Sequence, residues 1–129
     1  MKDRLFLVAF AAVLVAATGA YASAMALKVS WGPTQACFDP KSPPMELTGP
    51  PKKTAKLRMK MVNKTNPHVD HGGSTIAFSG QTNLPYGAFT YRGPCPDAGQ
   101  RETFEISVDA LDDNDNVLDS ATTTTQFPK

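Results

Sequence analysis

Histidine, cysteine and tryptophan are scarce in this 129-residue chain, which holds two, two and one of them. Two cysteines are too few for a disulfide-dense scaffold or a cysteine-rich zinc module. Neither sign of charge is in excess, since 13 lysines and arginines face 12 aspartates and glutamates. That balance removes the electrostatic case for nucleic acid or an anionic membrane surface as a partner. A G-x-S-x-G nucleophile elbow is missing too, and Ser74 and Ser79 stand at the wrong spacing from nearby glycines to form one. The string HGG at residues 71–73 is therefore not read as the oxyanion loop of an esterase, and no catalytic residues are assigned.

Long apolar runs are lacking except at residues 5–17, LFLVAFAAVLVAA. This run is too short to span a bilayer comfortably, follows the basic start MKDR, and leads into AYASA, where Ala22 and Ala24 are the small pair a signal peptidase needs. We read residues 1–24 as a signal peptide and 25–129 as one mature domain, exported to the periplasm or secreted. Losing Lys2, Asp3 and Arg4 takes the 13 basic and 12 acidic groups to 11 of each, and no stable membrane insertion is expected after cleavage. The remaining length suits a single domain with a modest core. In an oxidising compartment Cys37 and Cys95 are expected to bridge, two buried thiols being the alternative.

Helical periodicity is also absent from the mature chain, while alternation is frequent. In KLRMKMV, Leu57, Met59 and Met61 alternate with Lys56, Arg58 and Lys60, as a half-buried strand requires. ETFEISVDAL does the same through Phe104, Ile106, Val108 and Ala110, and ALKVSW through Leu27, Val29 and Trp31. STIAFS, AFTY and VLDSATTTTQF are further strand candidates, the last from its β-branched residues. The connectors DPKSPP, TGPPKK, TNP and RGPCPDAG break helices and force turns. An all-β fold follows, an antiparallel β-sandwich or open barrel. DDNDN at residues 112–116 lacks the glycine and closing glutamate of a calcium loop and is expected to be a hairpin turn.

Both histidines lie in HVDHGG, residues 68–73. His68, Asp70 and His71 offer nitrogen and oxygen ligands for a metal, but neighbours on an extended chain point to opposite sides, so Asp70 and His71 could share one only in a turn. The other readings are a plain turn and the polar lip of a pocket, with Gly72 and Gly73 allowing backbone angles that a side chain forbids.

The connectors carry a resemblance. FDPKSPPMEL, GPPKKTAKLRMKMV followed by NKTNP, then HGG, LPYGAF, YRGPCPDAG and FEISVDALD, in that order from about Cys37 to Asp112, resemble the phosphatidylethanolamine-binding protein family, also called Raf-kinase-inhibitor-like. The resemblance implies a compact β-sandwich without the C-terminal helical segment of longer members, and a small surface pocket for a polar or anionic molecule or lipid head group. Carried over position by position, the pocket would use Asn63, Thr65 and Pro67 from the first segment, His71, the loop Gly93, Pro94, Cys95 and Pro96, and Glu102 and Phe104. Asn63 and Thr65 stand where the family has aspartates, Glu102 where it has a second histidine, and Phe104 where it has a tyrosine. These exchanges keep the polarity of the pocket and rearrange its charge. The reading is a non-catalytic exported binding protein without cofactor. The alternatives are a periplasmic metal-binding protein using His68, Asp70 and His71, and an interaction module with a vestigial pocket.

Overall fold

The computed structural model describes residues 12–13 and 24–128; the signal-peptide reading falls almost wholly outside them. Seven strands form two antiparallel sheets: β1 (Ala26–Val29), β2 (Met45–Thr48), β3 (Lys56–Asn63), β4 (Asp70–Ala77), β5 (Asn83–Leu84), β6 (Glu102–Leu111) and β7 (Val117–Phe127). One sheet has the order β1-β2-β5 and the other β4-β3-β6-β7. No helix occurs among the described residues. The sandwich expectation holds.

Alternation along the chain fixes which face each strand buries. β3 turns Leu57, Met59 and Met61 inward, and they stand opposite Ala110, Val108 and Ile106 of β6. Leu27, Met45, Leu47 and Leu84 of the smaller sheet close the core from the other side, with Trp31 and Phe127 at its end. Each fully buried leucine, isoleucine or phenylalanine contributes about 1.5–3 kcal/mol relative to exposure. On the outer face Arg58 pairs with its cross-strand partner Asp109 at 2.8 Å, and Ser120 of β7 donates to the same carboxylate at 2.6 Å.

β6 and β7 have the bounds expected from ETFEISVDAL and VLDSATTTTQF, and residues 112–116 form the hairpin turn between them. Asp112 caps that turn, its Oδ1 accepting from the amides of Asn114 and Asn116 and its Oδ2 from the Asn116 side chain. Three details differ from the sequence reading. AFTY, residues 88–91, is not a strand; only a single bridge joins Thr90 to Lys41. The partner segment contains Pro40, Pro43 and Pro44, which have no N–H to extend a ladder. β2 fills the gap between the connectors DPKSPP and TGPPKK, where no strand was expected, and β4 begins at Asp70, so most of HVDHGG is strand and only its start is turn.

Candidate functional site

The start of β4 decides where His71 points. Asp70 pairs with Val62 and Gly73 with Lys60, so His71 and Gly72 both stand opposite Met61, a β-bulge. Gly72 takes the positive φ of 61° that the extra residue needs, and a Cβ on Gly73 would collide with the Met59 carbonyl. The bulge turns the imidazole inward, where it is 1 % exposed and stands edge-on to Phe104, ring centroids 5.2 Å apart.

Hydrogen bonds then fix the ring. His71 Nδ1 lies 2.6 Å from the Arg92 carbonyl, and Nε2 lies 3.4 Å from Asn63 Nδ2. A carbonyl only accepts, so the ring carries its hydrogen on Nδ1. Asn63, buried at the end of β3, is equally constrained. Its Oδ1 accepts from the backbone N–H groups of Thr65 and Asn66, which orients the amide. Its Nδ2 therefore donates to Glu102 Oε2 at 2.9 Å and faces the lone pair of His71 Nε2. Asn63 and Glu102 make a matched pair, with amide as donor and carboxylate as acceptor.

The opposite wall comes from two loops. A disulfide joins Cys37 to Cys95, as the cysteine count led us to expect. Cys37 and Phe38 both have left-handed φ, 64° and 58°, and both their N–H groups donate to the Pro94 carbonyl. Such conformations cost on the order of 1 kcal/mol each in a non-glycine residue, so the crosslink and the two hydrogen bonds hold a segment that would otherwise relax. Gly93 presses against Asp39, where a Cβ would meet the Asp39 carbonyl oxygen at 2.7 Å. Arg92 lays its guanidinium over the Phe38 ring, 3.8 Å from the centroid.

Asp39 anchors this wall from behind. Its carboxylate accepts from Gln35 N, Lys41 N and the Tyr86 hydroxyl, the last at 2.5 Å. Burial pushes the carboxyl up, but the Tyr86 hydroxyl, the two amides and the Lys41 charge outweigh it and leave it below the ordinary value. Burial, with the Asp39 charge adding to it, pushes the Tyr91 phenol well up.

Between the walls lies a cavity of about 90 Å³, lined by Phe38, Asn63, Asn66, Val69, His71, Cys95, Asp97 and Glu102. Of the ten positions taken from the resemblance, Asn63, His71, Cys95 and Glu102 line it. The other six do not. Thr65 is exposed and its hydroxyl accepts from Thr103 N, tying the loop after β3 to β6. Pro67 sits in an exposed turn, while Gly93 and Pro94 are buried behind the wall and Pro96 flanks it. Phe104 is wholly buried as a support under His71. Phe38, Asn66, Val69 and Asp97 were not singled out, although each neighbours a motif residue. His68 and Asp70 are exposed while His71 is buried, and no cluster of three metal-ligating side chains occurs among the described residues. A larger and more open depression of about 760 Å³ lies against β1, β2 and β5. Its walls are mostly apolar, through Leu27, Val29, Met45 and Leu84, with Lys28, Ser30, Glu46, Asn83 and Thr123 also in its lining.

The fold and this end-on cavity define a class: a small antiparallel β-sandwich with a polar hollow beneath a crosslinked loop. The fold is that of phosphatidylethanolamine-binding proteins. A phosphatidylethanolamine-binding protein homologue of Chlamydia trachomatis, CT736, superposes with a TM-score of 0.60 at 15% identity, over 84% of this chain and 99% of that one. YbcL of Escherichia coli, a new member of the mammalian family, does so with 0.59 at 15% identity, over 81% and 98%. No family model matches the sequence, and no curated protein does. The disulfide is compatible with an oxidising, exported location, and no helix among the described residues is long and apolar enough to cross a membrane.

Proposed function

We propose that this chain is a non-catalytic, exported binding protein that receives a small polar molecule in the His71 cavity. One observation carries the reading: residues far apart in sequence, Phe38, Asn63, His71, Cys95 and Glu102, converge on a single hollow. Its size, about 90 Å³, suits a group of about three water volumes, the scale of a head group rather than a whole lipid. The likeness of the fold to phosphatidylethanolamine-binding proteins supports the same reading. Binding is favoured over catalysis because His71 has both ring nitrogens engaged, and among the described residues the lining holds no serine, threonine or free thiol to act as nucleophile. Export is favoured by the basic start, the apolar run and the bridged cysteines together.

A thermal-shift panel of amines, phosphates, carboxylates and neutral polyols tests the reading, run on the disulfide-bonded protein and on Val69→Trp. Val69 lines the cavity and is half-buried, so an indole there fills the hollow without removing a hydrogen bond. At least one class should raise Tm in the parent and fail to do so in Val69→Trp. A panel without hits, or hits that survive the plug, overturns the proposal.

A further inference from the structure

The strand that follows the expected cleavage site also closes the sandwich. Ala24 is exposed, Met25 is 7 % exposed, and β1 begins at Ala26. β1 and β7 are edge strands of different sheets. Hydrogen bonds join them beyond either end of β1: Met25 N donates to Asp119 Oδ2 at 3.3 Å, and Trp31 Nε1 donates to the Gln126 carbonyl at 2.8 Å. Between these two contacts Leu27, Val29 and Thr123 line the larger depression, so the contacts set the gap between the sheets on this side. Asp119 Oδ1 accepts from Ser120 N, which orients the carboxylate and leaves Oδ2 toward Met25. Ala110 and Thr48, which stand opposite Asp119 and Ala26, carry no charge.

In the uncut chain Met25 N is a peptide nitrogen with a single hydrogen, and its contact with Asp119 is longer than the usual N–H···O range. Cleavage changes that atom. Hydrolysis of the Ala24–Met25 peptide bond by the export peptidase consumes one water; Ala24 departs with the leader as a carboxylate, and the Met25 amine takes up the proton released. An α-amine is mostly charged at neutral pH, and an ammonium pairs with a carboxylate through stronger hydrogen bonds than an amide makes. Resting on the export half of the proposed function, we infer that the α-ammonium of Met25, created by cleavage after Ala24, forms an ion pair with Asp119 that locks β1 against β7 in the mature protein. Processing thereby completes the fold. The order of events follows from the packing. Met25 is buried, and Gly49 lies so close to the Ala24 carbonyl that a Cβ would stand 2.5 Å from its oxygen, so a peptidase reaches the bond only before β1 docks.

The test compares the full chain, expressed with its leader and exported, with the same chain carrying one glycine inserted between Ala24 and Met25. The insertion turns Met25 N back into an amide and moves the ammonium about 3.8 Å along the chain. Mass spectrometry of the exported parent should show a chain that starts at Met25. Asp119→Asn keeps an oxygen acceptor and removes the charge. At pH 6 it should lower Tm by at least about 4 °C more in the parent than in the glycine-extended protein. Acetylation of the α-amine, followed by mass, should run about tenfold more slowly in the parent than in the extended protein, because an ion pair that raises the amine pKa by about one unit leaves about a tenth of the reactive free base. That second readout needs no substitution at Asp119. A chain that keeps its leader overturns the export reading and this inference together. A different N-terminus, equal losses from Asp119→Asn in the two proteins, or equal acetylation rates overturns this inference alone; Val69→Trp judges the cavity reading separately.

Discussion

Asn63 at the end of β3 donates to Glu102 at the start of β6 over 2.9 Å, and the same amide nitrogen faces His71. Three strands of the larger sheet thus meet through one side chain, whose oxygen also shapes the 63–66 turn.

Replacing that amide by a carboxylate should be costly. Asn63→Asp sets two carboxylates at hydrogen-bond distance and points an oxygen at the His71 lone pair. The expected loss is about 2–3 kcal/mol of unfolding free energy at neutral pH. Urea denaturation measures it, and adding Glu102→Gln should recover a large part; independent, additive effects in the double variant would contradict the coupling.

Two glycines should respond to alanine for different reasons. Gly93→Ala drives a Cβ into the Asp39 backbone, to 2.7 Å from O and 2.9 Å from N, and overpacking of this kind costs about 1–3 kcal/mol. Gly72→Ala meets nothing within 4 Å but must hold a φ of 61°, at about 1 kcal/mol. Only the first should disturb the wall that carries Phe38, visible as a change in the Phe38 resonances.

Asp39 gives the protein an acid limb. Its carboxyl titrates lower in the folded state than in the unfolded chain, so its stabilisation is present above the ordinary value of 3.8 and is lost as pH falls through the lower folded value. Melting temperature should therefore fall as the solution is taken below about pH 4. In Asp39→Asn that fall should be shallower, starting from a lower Tm at pH 7.

Reduction should act on both stability and the site. The crosslink closes a sequence separation of 58 residues, for which the chain-entropy account gives about 4 kcal/mol. The left-handed Cys37 and Phe38 offset part of this by relaxing when freed. Cys37→Ser with Cys95→Ser should lower stability by about 3 kcal/mol. It should also raise amide exchange at residues 37–38 well before that at β3 and β6. Uniform change across the molecule would mean that the wall is held by other contacts.

The long strands were legible because they alternate over eight or more residues, and Leu57, Met59, Met61, Phe104, Ile106 and Val108 are buried as that period requires. β2 and β5 were not, being four and two residues long and bounded by proline or glycine, too short for a period to emerge. The site was legible at Asn63, His71 and Glu102, which have their own hydrogen-bonding tasks, and at Cys95, which the crosslink holds in the wall. Phe38 and Asp97 owe their places to the path of loops, which no periodicity encodes. For Phe104 alternation was the better guide, since it shares the inward face with Ile106 and could not also open to the solvent side.

The chain has a single tryptophan, and Trp31 touches Phe104 edge-on at 5.8 Å, while Phe104 in turn supports the His71 imidazole. One phenyl ring is all that separates the indole from the cavity floor. The sole strong fluorophore is thereby coupled through one ring to the imidazole, so under the proposed function occupancy should register in its emission without attaching a dye.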